Sequence, residues 1–134
     1  MRVWKCPGHR TTLRDKRILV VEDEALVAML MEDGLAEAGA SVVGPAASVG
    51  EALRLIDAAM RDGGLSAAVL DLDLDGEAVT PVADRLAAIG VPFVFATGYD
   101  EDHGTGGHAA PRLQKPFAPA LLVIAVEDLA FASH

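Results

Sequence analysis

Apolar and polar positions fall in blocks along this chain, and the period changes from block to block. Arg17-Ile18-Leu19-Val20-Val21 is a β-branched run that breaks off into Glu22-Asp23-Glu24, which predicts a strand ending in acid. From Ala25 to Ala38, Leu26, Met29, Leu30 and Leu35 recur near the helical period and Gly39 supplies a stop, so a helix follows. Ser41-Val42-Val43-Gly44-Pro45 predicts a brief strand that Pro45 ends or confines to a sheet edge. Ser48 and Glu51 form a capping box ahead of Ala52, Leu53, Leu55, Ile56 and Met60, which predicts a second helix reaching Gly63-Gly64. Ala67-Ala68-Val69-Leu70 then runs into Asp71-Leu72-Asp73-Leu74-Asp75-Gly76-Glu77, a buried strand opening into an acidic loop. Pro81 starts a third helix through Val82, Leu86 and Ile89 to Gly90. Val91 to Ala96 is apolar on both faces, as a strand covered on both sides must be, and stops at Thr97-Gly98-Tyr99. Asp100 to Pro111 holds Gly104, Gly106 and Gly107 and reads as loop or a short, poorly formed helix where a fourth crossover is due. Arg112-Leu113-Gln114 is a last short strand before Lys115-Pro116-Phe117, and Leu121, Leu122, Ile124, Ala125 and Leu129 mark the closing helix.

Strand and helix alternate throughout, and parallel strands need covered, right-handed crossovers. The pattern therefore predicts an α/β fold: a doubly wound, five-stranded parallel sheet in the order 2-1-3-4-5. With 134 residues, 51% hydrophobic and 23% charged, the chain makes one domain with one core and is not disordered. Met29, Met31 and Met60 read as packing material on helix faces. Residues 1–16 are basic and polar without an apolar h-region, so they read as a flexible tail ahead of a domain over 17–134. No run is long and apolar enough to span a membrane, and a cytoplasmic protein is expected. Cys6 has no partner for a disulfide, and Cys6 with His9 is half of any zinc site. A net charge of −9 and a pI near 4.7 set the chain against nucleic acid.

The chemistry gathers at strand ends. Glu22 and Asp23 end the first strand, Asp71 the third, Thr97 the fourth and Lys115 the fifth, all at one rim. In the order 2-1-3-4-5 the first and third strands are neighbours at the switch point, so Asp23 and Asp71 converge. Carboxylates that close need a proton or a cation, and an all-oxygen donor set suits Mg²⁺. A carboxylate nucleophile, Mg²⁺, the Lys115 ammonium and the Thr97 hydroxyl together make a phosphoryl-transfer site.

From Arg17 to Ala132 these residues resemble the CheY-like receiver domains of two-component response regulators, a flavodoxin-like fold. The resemblance implies that a histidine kinase or histidine phosphotransfer protein donates phosphate to Asp71. It implies Mg²⁺ or Mn²⁺ held by Asp23, Asp71 and the Asp73 backbone carbonyl, with Glu22 acting through water. It assigns Lys115 to an ion pair with the phosphoaspartate, before a cis peptide to Pro116, and Thr97 to a switch hydroxyl. Phe95-Ala96-Thr97-Gly98-Tyr99 also resembles the FATGUY receivers, often stand-alone members of phosphorelays. Arg112 stands three before the lysine, where the family keeps a Tyr or Phe, so ordering of a loop replaces a Thr–Tyr switch as the implied response. The expectation is a non-enzymatic phosphoacceptor without an output domain, a monomer or weak dimer, that signals to a partner or downstream regulator protein. Its partner would dock near Ala25, Leu26 and the loop after Pro116.

Four other readings are weaker. Asp71, Asp73 and Asp75 could be a solvated acidic turn, but that explains neither Lys115 nor Thr97. Asp-x-Asp-x-Asp-Gly matches half an EF-hand calcium loop, yet its twelfth position is Val82 and a strand precedes it. Asp73-Leu74-Asp75-Gly76 resembles the haloacid-dehalogenase phosphatases, but Glu77 stands where those carry Thr or Val. A receiver fold acting unphosphorylated, as a binding module or kinase decoy, is the alternative of a different class. No Gly-rich nucleotide loop occurs, and His103 and His108 read as surface histidines.

Overall fold

A computed structural model describes residues 12–98 and 107–132. The chain runs β1 (Arg17–Val21), α1 (Ala25–Glu37), β2 (Ser41–Ala46), α2 (Val49–Met60), β3 (Ala67–Asp71), β4 (Asp73–Leu74), β5 (Glu77–Ala78), α3 (Thr80–Ala88), β6 (Phe93–Thr97), β7 (Arg112–Gln114) and α4 (Pro119–Ala132). Five strands form one parallel sheet in the order β2-β1-β3-β6-β7, the doubly wound arrangement expected from the alternation of strand and helix. Every residue of β3 and β6 is buried, because helices cover both faces.

Two cores result. Leu19, Val21, Leu70 and Phe95 face α2 and α3, where Ala52, Ile56, Val82 and Leu86 meet them. Ile18, Val20, Val69 and Val94 face α1 and α4, against Met31, Leu35, Leu122 and Val126. Ser48 caps α2 by accepting from Glu51 N at 3.1 Å, and Glu51 Oε1 accepts from Ala47 N at 3.0 Å. Pro45 does not end β2; it lies within that edge strand, after Gly44. Gly44 sits at φ +103° with the Val20 carbonyl oxygen 2.8 Å from where a Cβ would stand, so only glycine fits there.

Several details depart from the sequence reading. Helical spacing puts the apolar stripe of α1 on Leu26, Met29 and Leu30, but all three are exposed, and the buried side carries Ala28, Met31, Gly34 and Leu35. Residues 25–31 are apolar on every side, so periodicity alone could not choose; close packing did, with Gly34 against Pro119. Met29 and Met60 are accordingly surface residues, and only Met31 is packing material. Residues 12–16, expected to end a tail, fold as a turn whose Leu13 is fully buried against the α1–α4 side. Val91 and Pro92 precede β6 instead of opening it, although the Pro92 carbonyl still accepts from Ala68 N at 3.0 Å. The acidic loop after β3 contains a small antiparallel pair, β4 with β5, that no pattern announced. Of the segment where a fourth crossover helix is due, residues 107–111 are non-helical and 99–106 lie outside the described residues, as do Cys6, His9 and His103. His108 is half-buried, 2.7 Å from Asp84 and edge-on to Phe93. Among the described residues no helix is long and apolar enough to cross a membrane.

Candidate functional site at the strand ends

The parallel register carries the rim residues to one place. Val21 pairs with Leu70, so Glu22 and Asp23 leave β1 level with Asp71, the last residue of β3. Asp71 pairs with Ala96, and Thr97 closes β6 one step further on. Thr97 in turn pairs with Gln114, and its carbonyl accepts from Lys115 N at 2.7 Å, which fixes where the lysine leaves β7. The peptide between Lys115 and Pro116 is cis.

Glu22 and Asp71 are 2% and 3% exposed. Lys115 Nζ lies between them, 2.8 Å from Glu22 Oε1 and 3.2 Å from Asp71 Oδ2. The other oxygen, Asp71 Oδ1, accepts from Asp73 N at 3.2 Å, and Glu22 Oε2 accepts from Glu24 N at the same distance. Oxygens of Glu22, Asp23 and Asp71 all lie within 4.8 Å of one another. Glu22 and Asp71 thus share one ammonium, with the Asp23 carboxylate beside them. Burial, then the Glu22 charge and its hydrogen bond, push the Asp71 carboxyl up to about 7, against the pull of Lys115 and the Asp73 N–H. Burial works against the Lys115 ammonium, but Glu22 and Asp71 outweigh it and hold its pKa above the ordinary value.

The Asp73 carboxylate shapes the loop: its Oδ1 accepts from Gly76 N at 3.0 Å in the β4–β5 turn. Asp73 meets the cluster through its backbone, whose N–H donates to Asp71. The same turn exposes Asp75, and Val82 is buried in α3, so no calcium loop of the EF-hand kind forms. Arg112 is exposed on β7, in register with Phe95. The site therefore brings together Glu22, Asp23, Asp71 and Lys115, with Thr97 buried at the neighbouring strand end. An all-oxygen set with an excess of negative charge fits a hard divalent cation such as Mg²⁺.

Beside it lies a feature that the sequence did not disclose. An apolar groove of about 410 Å³ opens between α1 and α4, lined chiefly by Val27, Leu30, Met31, Phe117, Pro119 and Leu122, with Lys115 at its edge. Leu26, expected at a docking face, is 72% exposed just outside it. The signal that could have revealed the groove is the absence of any polar residue in the first seven positions of α1.

No protein-family model matches the chain. Over 116 residues it is 33% identical to the phyllosphere-induced regulator PhyR of Methylorubrum extorquens, a match covering 85% of this chain and 43% of that protein. The response regulator PhyR of Brucella abortus superposes with a TM-score of 0.74 at 27% identity, over 91% of this chain and 51% of its own. A response regulator receiver protein from Sinorhizobium medicae matches with a TM-score of 0.74 at 26% identity, over 91% of this chain and 99% of its own. The chain spans about half the length of the PhyR proteins it matches. In fold and in likeness, the chain carries a CheY-like receiver domain of the response-regulator kind.

Proposed function

We propose that this receiver accepts a phosphoryl group from a phosphohistidine onto Asp71. The observation that carries the reading is the Asp71 carboxylate, buried at a strand end and held 3.2 Å from both the Lys115 ammonium and the Asp73 N–H. The Asp73 N–H fixes Oδ1, so the carboxylate is aimed before a donor arrives. In the transfer an Asp71 oxygen forms the new O–P bond while the P–N bond breaks and the imidazole departs with the electron pair. Lys115 stays beside the phosphoryl oxygens as their counter-charge, and the Thr97 hydroxyl is the donor from β6. Glu22, Asp23, Asp71 and the Asp73 carbonyl would hold Mg²⁺, or Mn²⁺ in its place, which when bound neutralises charge on the phosphoryl oxygens. Glu22 and Asp23 do not attack; both supply negative charge that would hold the cation, and Glu22 also keeps Lys115 in place.

The groove beside Lys115 supports a helical, histidine-bearing donor, since apolar side chains of a helix fill such a groove while the phosphohistidine reaches the rim. A histidine kinase or phosphotransfer protein has that chemistry. The FATGUY-like stretch Phe95 to Tyr99 supports membership of the phosphorelay subgroup.

Incubation with acetyl phosphate and Mg²⁺ tests this directly. The expected product is an acid-stable, base-labile phosphoprotein, formed by the native chain and absent from Asp71→Asn. Failure to form with several small donors and with phosphohistidine proteins would support instead a binding module that acts unphosphorylated.

A further inference from the structure

The first eleven residues are opposite in charge to the rest of the chain. They carry Arg2, Lys5 and Arg10 and no Asp or Glu, although the net charge of the whole is −9. They also hold its single tryptophan, Trp4, beside Val3. The turn that joins them to β1 is tied to α4 at two successive levels. Lys16 Nζ stands 4.8 Å from the centre of the Phe131 ring, and Thr12 Oγ1 donates to Glu127 Oε2. Leu13, buried between those contacts, anchors the turn.

Followed backwards from Lys16 to Thr12, the chain therefore climbs α4 by about one turn, from Phe131 to Glu127. The next positions up the same side of the helix are Ile124 and then Ala120, with Leu121 adjoining. Ile124 and Leu121 are 52% and 51% exposed. All but two residues of α4 are apolar, and those two, Glu127 and Asp128, are acidic. A helix apolar around its whole circumference is the pattern of one covered on every side.

We infer that residues 1–11 bind as a strap along the outer side of α4, with Trp4 over Ile124 and Leu121 and the basic side chains facing Glu127 and Asp128. The reach is sufficient: Glu127 to Leu121 is about 9 Å along the helix, whereas eight extended residues from Thr12 back to Trp4 cover up to about 26 Å. The covalent tether gives the arm a high effective concentration at this surface, and opposite charges draw it there. Because Asp128 is exposed and Glu127 partly so, salt loosens the strap.

Trp4 is its own reporter. In the full chain at low salt, its emission is blue-shifted and its quenching by acrylamide is severalfold slower than in a free peptide of residues 1–11. Both properties are unchanged on dilution and move toward the peptide values in high salt. Leu121→Glu with Ile124→Glu, at exposed positions, abolishes the protection while circular dichroism shows the fold intact. Quenching equal to that of the peptide would overturn the strap, as would protection that survives the double substitution. Protection lost on dilution would overturn it too, since the occupant would then be a second copy.

Discussion

The two faces of the sheet are built to different specifications. Against α2 and α3, large side chains are inside and the outer surfaces are polar and paired, as where Arg85 of α3 bonds Asp57 of α2. Against α1 and α4 the inside is buried too, yet much of the outside is apolar. Of the eight large hydrophobic residues exposed among those described, six lie there: Leu26, Met29, Leu30, Leu121, Ile124 and Phe131. The site opens toward this second face, since Lys115 edges the groove between α1 and α4. One side of the molecule closes the fold, and the other is left for contacts that folding does not require.

Core truncation gives the largest separation between the faces. Ile56→Ala, at a fully buried position on the inner side of α2, is expected to cost about 2–5 kcal/mol in denaturant unfolding. Leu26→Ala on α1 is expected to shift stability by no more than about 0.5 kcal/mol. The order reverses for transfer: Leu26→Ala slows phosphorylation by a histidine-bearing donor and leaves the acetyl phosphate reaction unchanged. Equal slowing with both donors would show that the α1 face is not a docking surface.

A buried pair sharpens the contrast between rim and core. Lys115→Met removes the ammonium between Glu22 and Asp71, which leaves carboxylates buried without their counter-charge, a loss on the order of 3–5 kcal/mol for fully buried pairs and less here. Its destabilisation, measured without divalent cations, is expected to be greater at pH 8 than at pH 5, because protonation relieves the unpaired charge.

The pH dependence of the native chain follows from Asp71. Its folded pKa of about 7 lies above the ordinary 3.8, so the folded chain holds a proton that the unfolded chain has already released. That contribution to stability is fully present below pH 4 and is lost as the pH climbs through 7. In metal-free buffer the midpoint of thermal unfolding should fall across this window more steeply than in Asp71→Asn. At pH 8, Mg²⁺ should raise the native midpoint and have a smaller effect on Asp71→Asn. The smallest expected effect belongs to the closed face: Arg85→Ala breaks a half-exposed pair and should cost under about 1 kcal/mol.

The legible parts of this protein were those governed by local rules. Hydrophobic runs broken by acid or glycine marked each strand end, and the topology of parallel crossovers then ordered the sheet, so Glu22, Asp23, Asp71, Thr97 and Lys115 could be placed at one rim without coordinates. The capping box at Ser48 was readable for the same reason, since its partner lies three residues away.

What escaped depended on partners distant in the chain. Residues 25–31 offer apolar side chains in every direction, and packing on β1 and α4, with Pro119 close to Gly34, turns Ala28 and Met31 inward and Leu26 and Leu30 outward. Leu13 became core because α1 and α4 leave a space for it, and the groove exists because those helices do not close at their upper ends. Sequence period fixes which residues share a side of an element; tertiary packing fixes which side is buried, because that depends on volumes brought together from opposite ends of the chain.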